Sequence, residues 1–255
     1  MIKLKFKNLN FFMNRKLDNR LNIIFVFPGL GSFAKEYEYF SDSFNQRNQV
    51  IIVEFPGIFI VNNKNNDYLF CITKEIFLFI KKKNINKFSC YGHSMGGIIP
   101  ILLFKFFIKK RSKSVFINNE GNLIYSDSSF VTKKTISYDK FFFLNKGFSN
   151  LVRKCNSSDD NSIKKWGRNI SYIHPENFYN YCKSTNFWTQ NNKLLSYYKY
   201  YFKKKIYIYG ENSKNLELLS KLFGEQKIKI KKAGHFSHLN NKDFFKKSLT
   251  KLFKM

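Results

Sequence analysis

The residues best suited to chemistry in this sequence are Gly92-His93-Ser94-Met95-Gly96-Gly97. They directly follow the short run Phe88-Ser89-Cys90-Tyr91 and directly precede a longer apolar run from Ile98 to Phe107. A Gly-x-Ser-x-Gly between a strand and a helix is a nucleophile elbow. The turn holds the serine in a strained conformation with its hydroxyl projecting beyond the strand end, so the residues two before and two after must be small. The N-terminus of the helix then aims backbone N–H groups and positive dipole at developing oxyanion charge. Ser94 is therefore the candidate nucleophile. A second oxyanion donor is expected from the loop after an earlier strand, and Pro28-Gly29-Leu30-Gly31-Ser32 fits. Its glycines permit the tight turn that presents the N–H of Leu30, with the Met95 N–H as the other donor.

A serine nucleophile needs a base, and the chain has four histidines. His93 sits inside the elbow and is expected to point away from the site. His174 falls in an irregular part of the sequence, and His238 is expected to support its own loop. His235, in Ala233-Gly234-His235-Phe236, follows the last strand-like run and precedes the last helix, so it can swing over Ser94. It is the candidate general base.

These residues must be carried to one edge of a framework. Asn22–Phe27 and Val50–Phe55 are near-continuous apolar runs, as expected of strands buried on both faces of a parallel sheet. Met1–Lys7 alternates apolar residues with lysine, and Lys87–Tyr91, Ser114–Asn118, Lys205–Tyr209 and Gln226–Ile230 read as further strands. Tyr37, Phe40 and Phe44 recur at helical spacing. Leu69, Ile72, Ile76, Phe79 and Ile80 form a clearer helical stripe, with Asn66 or Asp67 placed to cap it. Helices are also expected over Met95–Phe107, over Leu216–Phe223, and at Phe245, Leu249 and Leu252. Pro100 conflicts with a regular second turn of the helix after Ser94, so a late start or a bend is expected there. The alternation predicts an α/β fold with a mostly parallel, doubly wound sheet. The rhythm breaks between Asn122 and Tyr201, a stretch of about 80 residues that is too long for a connecting loop. An inserted helical cap over 122–201 is expected, with 1–121 and 202–255 forming the core.

Composition narrows the function classes. The 255 residues include 31 Phe and 15 Tyr, enough apolar volume to exclude a disordered chain. The longest charge-free stretch of the most apolar region, Tyr91 to Phe104, is too short for a bilayer span and contains Gly and Pro. The formal charge of +28 would ordinarily suggest nucleic acid. Only six of the 45 basic residues are Arg, however, and alanine occurs only at Ala34 and Ala233, whereas Lys, Asn, Ile, Phe and Tyr abound. That is the signature of A/T-rich codons, and no nucleic-acid partner is expected. The excess still favours acidic partners. Lysine runs such as Lys203-Lys204-Lys205 offer a face to an acidic acyl-carrier protein. Cys71, Cys90, Cys155 and Cys182 form no CxxC pair, so neither a metal site nor a disulfide framework is expected. The N-terminus lacks the apolar core of a signal peptide, and a cytoplasmic location is expected.

The order PGLG, GHSMGG, AGHF resembles the α/β-hydrolase superfamily over the whole chain apart from the cap. The resemblance implies that the serine attacks a carbonyl carbon, the histidine takes its proton, and an acid orients the histidine. It places Leu30 at the oxyanion-hole position and likens Glu54-Phe55-Pro56-Gly57 to the family's Asp-x-Pro-Gly turn. It also implies a serine hydrolase acting on a small carboxylic ester or thioester, with no cofactor. A carrier-protein-linked thioesterase, an acyltransferase or a degenerate hydrolase kept as a binding protein are the alternatives. The chain departs from the pattern at the acid. After Ile206–Tyr209 the family often has Gly-x-x-Asp, whereas here Gly210-Glu211-Asn212-Ser213 puts Ser213 in the acid's place. Serine cannot stabilise an imidazolium as a carboxylate does. Glu120, in Asn118-Asn119-Glu120-Gly121-Asn122, lies at the end of the preceding strand, where some members of the family draw their acid, and is the first choice. Glu211 is the second, and Asp127 or no acid at all completes the possibilities.

Overall fold

Eight strands form a single sheet in the computed structural model, which describes residues 1–43, 47–55, 67–127, 130–190, 192–213 and 216–253. They are β1 (Ile2–Phe6), β2 (Leu9–Met13), β3 (Asn22–Phe27), β4 (Asn48–Glu54), β5 (Phe88–His93), β6 (Ser112–Asn119), β7 (Phe202–Gly210) and β8 (Gln226–Ile230). Their order across the sheet is β1-β2-β4-β3-β5-β6-β7-β8. From β4 to β8 every neighbouring pair is parallel, while β1–β2 and β2–β4 are antiparallel. The sheet is therefore mostly parallel and doubly wound, as the alternation predicts. β2 is an addition to that prediction. Phe6 pairs with Leu9, so Lys7 and Asn8 alone make the turn, and Lys7 takes φ +52°. Two-residue hairpin turns require such left-handed backbone.

Strand residues alternate between two apolar layers because successive side chains leave opposite faces. Phe25, Phe27, Ile51 and Val53 pack with Leu69, Ile72, Ile76 and Phe79 of the helix Tyr68–Lys82. Val26, Val50, Ile52 and Tyr91 face the other way, onto Phe40 and onto Phe245 and Leu249 of the helix Lys242–Phe253. Fully burying each such side chain contributes about 1.5–3 kcal/mol, which is what makes the run-on apolar strands central. Asp67 caps Tyr68–Lys82 by accepting from the Phe70 N–H at 3.1 Å. Phe44, Pro56, Gly57 and Asn66 lie outside the described residues.

Five longer helices lie between β6 and β7: Phe130–Ser137, Phe148–Asn156, Asn161–Ile170, Pro175–Gln190 and Lys193–Tyr201. The first four contribute to a separate cluster around Phe143, Phe148, Trp166, Ile170 and Phe178. Further along, Tyr181, Leu194 and Tyr198 join the sheet's own core instead. Among the described residues no helix is long and apolar enough to cross a membrane.

The strand order sets the position of the site. From β3 the chain goes to β4 on one side and then returns to β5 on the other. The loops leaving β3 and β5 thus diverge at a topological switch point, the usual place for a crevice in an open parallel sheet.

Candidate active site

At the end of β5 the chain turns sharply at Ser94, which takes φ +51°, and enters a short 3-10 turn, Ser94–Gly97. The neighbours must be glycine. A Cβ on Gly92 would lie 2.6 Å from the Gly97 Cα, and one on Gly96 would lie 2.2 Å from the Phe27 oxygen and 2.4 Å from the Pro28 oxygen. The α-helix proper begins only at Ile98. Pro100 then falls in its first turn, where a missing N–H is least costly, so the late start resolves the conflict. Because Gly96 is wedged against backbone, Gly96→Ala is expected to displace the Pro28–Ser32 loop and to destabilise the protein by about 1–3 kcal/mol. Gly234→Ala, where a Cβ would meet nothing within 4 Å, should stay within about 0.5 kcal/mol. Urea unfolding of the two variants measures the contrast.

The same packing brings the β3 loop to the serine. A Cβ on Gly29 would lie 3.2 Å from the Ser94 Cβ, which sets the peptide between Gly29 and Leu30 beside the nucleophile position. The loop is fixed from above by Trp166, whose indole N–H donates to the Leu30 carbonyl at 2.7 Å. Met95, buried, follows Ser94 directly. Both residues expected to present oxyanion donors thus flank Ser94.

His235 comes from the loop between β8 and the short helix Ser237–Asn240. Its Nε2 lies 3.0 Å from the Ser94 Oγ, and its Nδ1 lies 3.5 Å from the Glu120 Oε2. The ring is 35% exposed, whereas the Glu120 side chain is only 10% exposed. Glu120 sits just past β6 with φ +50° and is anchored by its own backbone N–H to the Ile208 oxygen at 2.9 Å. Its second oxygen accepts from the Gly210 N–H at 2.7 Å and from the Ser213 hydroxyl. Burial would raise the Glu120 carboxyl, but hydrogen bonds from His235, Ser213 and Gly210 outweigh it and hold the group below the ordinary glutamate range. Ser213, which follows β7 in the loop with Glu211, is a donor to the carboxylate that reaches His235.

The other acid candidates are engaged elsewhere. Glu211 accepts from the Lys232 N–H at 3.0 Å and lies 3.7 Å from the Lys229 Nζ. Asp127 accepts from the Leu123 N–H at 2.9 Å and so closes its own loop.

Two histidines beneath the site have more to do than the sequence suggested. His93 does not merely point away: its Nε2 lies 3.0 Å from the His235 carbonyl oxygen and its Nδ1 lies 3.1 Å from the Tyr37 hydroxyl. A carbonyl only accepts, so Nε2 carries the proton and Nδ1 accepts from Tyr37. Burial, reinforced by the nearby His238 and His235, keeps the His93 ring well below the usual histidine range and therefore neutral. His238 stacks on Tyr37 at 4.8 Å, and burial lowers it to about 3. Asn119 completes the support by donating to the Tyr91 hydroxyl and accepting from the Ser237 hydroxyl. Nothing in the local sequence marks Asn119, since its partners lie 28 and 118 residues away.

Both buried rings bind protons more readily when unfolded, so they add stability above about pH 6.5 that is lost as the pH falls. The loss is expected to reach about 1.4 kcal/mol per pH unit for each histidine. Denaturant unfolding at pH 7, 6 and 5 measures it, and His238→Gln should flatten the slope.

Among the described residues no group of three or more His, Cys, Asp or Glu side chains is placed to hold a metal ion. No protein-family model matches the sequence, and no curated protein does. Solved structures do match along nearly the whole chain. MenH from S. aureus has 14% identity and a TM-score of 0.71, covering 97% of this chain and 98% of its own. A carboxylesterase structure from the thaumarchaeon Nitrososphaera gargenis has 16% identity and a TM-score of 0.70, covering 99% of both chains. A bromoperoxidase from Bacillus anthracis has 12% identity and a TM-score of 0.74, covering 97% of this chain and 95% of its own. The chain has the α/β-hydrolase fold. The loops that leave β3 and β5 on either side of the switch point carry Leu30 and Ser94-Met95, and those that leave β6 and β8 carry Glu120 and His235.

Proposed function

We propose that the protein is a serine hydrolase that cleaves a carboxylic ester or thioester through an acyl-enzyme on Ser94. The observation that carries this reading is the continuous line from Ser94 Oγ to His235 Nε2 at 3.0 Å and from His235 Nδ1 to Glu120 at 3.5 Å. With its Nδ1–H directed at the carboxylate, the His235 Nε2 lone pair accepts from the Ser94 hydroxyl. The serine oxygen attacks the acyl carbon as its proton passes to Nε2. Glu120 stabilises the resulting imidazolium. The backbone N–H groups of Leu30 and Met95 receive the oxyanion. His235 then protonates the leaving alkoxide or thiolate, and a water deprotonated by the same ring hydrolyses the acyl-enzyme.

The left-handed backbone at Ser94, the glycines packed around it and the ionised Glu120 support catalysis over a binding role. Fluorophosphonate labelling tests the proposal. A single covalent adduct on Ser94, located by peptide mass spectrometry and accompanied by hydrolysis of p-nitrophenyl esters, is the expected result. A folded protein that takes up no label would overturn it.

A further inference from the structure

The cap contains a cavity of its own. Its volume is 520 Å³, and it lies where the helices Phe130–Ser137, Phe148–Asn156 and Asn161–Ile170 come together. That falls within the range of roughly 300–1,000 Å³ usual for small-molecule sites. Val131, Tyr138, Phe142, Phe143, Leu151 and Ile163 are among its lining residues. Ser94, His235 and Glu120 are not among its lining residues. Phe143 and Cys155 at the inner wall belong to the buried cluster that continues through Phe178 to Trp166. Trp166 in turn holds the Leu30 carbonyl, so a layer of aromatic side chains stands between this cavity and the catalytic crevice.

The charge around the cavity has one sign. Lys134 and Lys154, both exposed, are its charged lining residues, and no carboxylate lines it among the described residues. Phe142 is 42% exposed although it forms part of the wall, and Phe141 beside it is 77% exposed. An apolar chamber with an uncovered aromatic flank and two cations on it suits a ligand with an apolar body and one anionic end. Lysine stems lie along apolar surface while the ammonium groups stay in water, which sets positive charge at the mouth.

We propose that this cavity is a binding site for a single-chain fatty carboxylate, separate from the catalytic crevice. The alkyl chain lies against Val131, Phe143, Leu151 and Ile163, and the carboxylate meets Lys134 and Lys154. The site uses none of the catalytic residues, so it stands or falls independently of the hydrolase reading.

The test is equilibrium titration of the full chain with cis-parinaric acid, a fluorescent fatty carboxylate. Saturable binding with one site per chain is expected, equal in wild type and Ser94→Ala. Leu151→Trp, which fills the chamber, should abolish it. The double variant Lys134→Glu/Lys154→Glu changes surface side chains only and should weaken binding at least about tenfold, the effect of about 1.4 kcal/mol. The methyl ester of the same acid, measured on Ser94→Ala, should also bind at least tenfold more weakly. Four results would overturn the proposal: no saturable binding by wild type, unchanged affinity in the double lysine variant, equal affinity for the methyl ester, or displacement of the probe when a fluorophosphonate occupies Ser94.

Discussion

Ser94→Ala is expected to lower kcat on an activated ester by about 10⁶-fold, and His235→Ala by a similar factor. The two losses should not add. Once the hydroxyl is gone, the imidazole has no proton to take. Once the imidazole is gone, the hydroxyl at 3.0 Å has no acceptor and remains a weak nucleophile. The double variant should therefore be no slower than either single one, and the residual rate should reflect the Leu30 and Met95 donors alone. Steady-state kinetics on variants with unchanged circular dichroism makes the comparison. A Ser94→Ala protein that keeps more than about a hundredth of the activity would place the nucleophile elsewhere, since the roughly 10²–10⁴-fold contribution of an acid–base group alone could not account for so small a loss.

What could be read in the sequence and what could not divides according to distance along the chain. The elbow is legible because its constraints are local. The positive φ at Ser94 and the crowding at Gly92 and Gly96 are imposed within five residues or by the one loop at Phe27–Pro28. β3 and β4 are legible because burial on both faces makes Ile23–Phe27 and Val50–Val53 unbroken apolar runs. The hairpin strand β2 is half-exposed at Asn10 and Phe12 and only five residues long, so its period-two signal is faint. The choice of acid was harder still. It depends on the Ser213 hydroxyl and the Gly210 N–H converging on a side chain some 90 residues earlier, and no pattern within one segment encodes that meeting. The sequence could order Glu120, Glu211 and Asp127 only by their places at strand ends. In the folded chain, Glu211 turns to Lys229 and Lys232, and Asp127 to Leu123. The bonds that His93 makes are hidden for a related reason. Its neighbours in sequence say only that it is buried, while its bond to the His235 carbonyl spans 142 residues.

Glu120→Gln is expected to cost about 10⁴-fold in kcat, because the amide cannot stabilise an imidazolium and can turn His235 to the wrong tautomer. The carboxylate is held below the ordinary glutamate range, so it is ionised throughout pH 6 to 9. Titration of Glu120 itself should therefore leave no mark on the loss between pH 6 and 9. Glu211→Gln, at an exposed loop position, should change activity by no more than about twofold. Ser213 decides whether the acid has moved in this chain or has simply been lost. Its hydroxyl meets the same carboxylate oxygen as the Gly210 N–H, so a carboxylate at 213 would lie against the one at 120. Ser213→Asp alone should then lower both stability and activity, since two carboxylates in one buried site cannot both ionise freely. In the Glu120→Ser background the repulsion is gone and one carboxylate is restored at the neighbouring position 213. The exchanged pair Glu120→Ser/Ser213→Asp should recover at least about tenfold over Glu120→Gln if one charge near the His235 Nδ1 is the whole requirement. Equal activity of the exchanged pair and Glu120→Gln would mean that the backbone at Glu120, fixed at φ +50° and tied to Ile208, is part of the requirement as well.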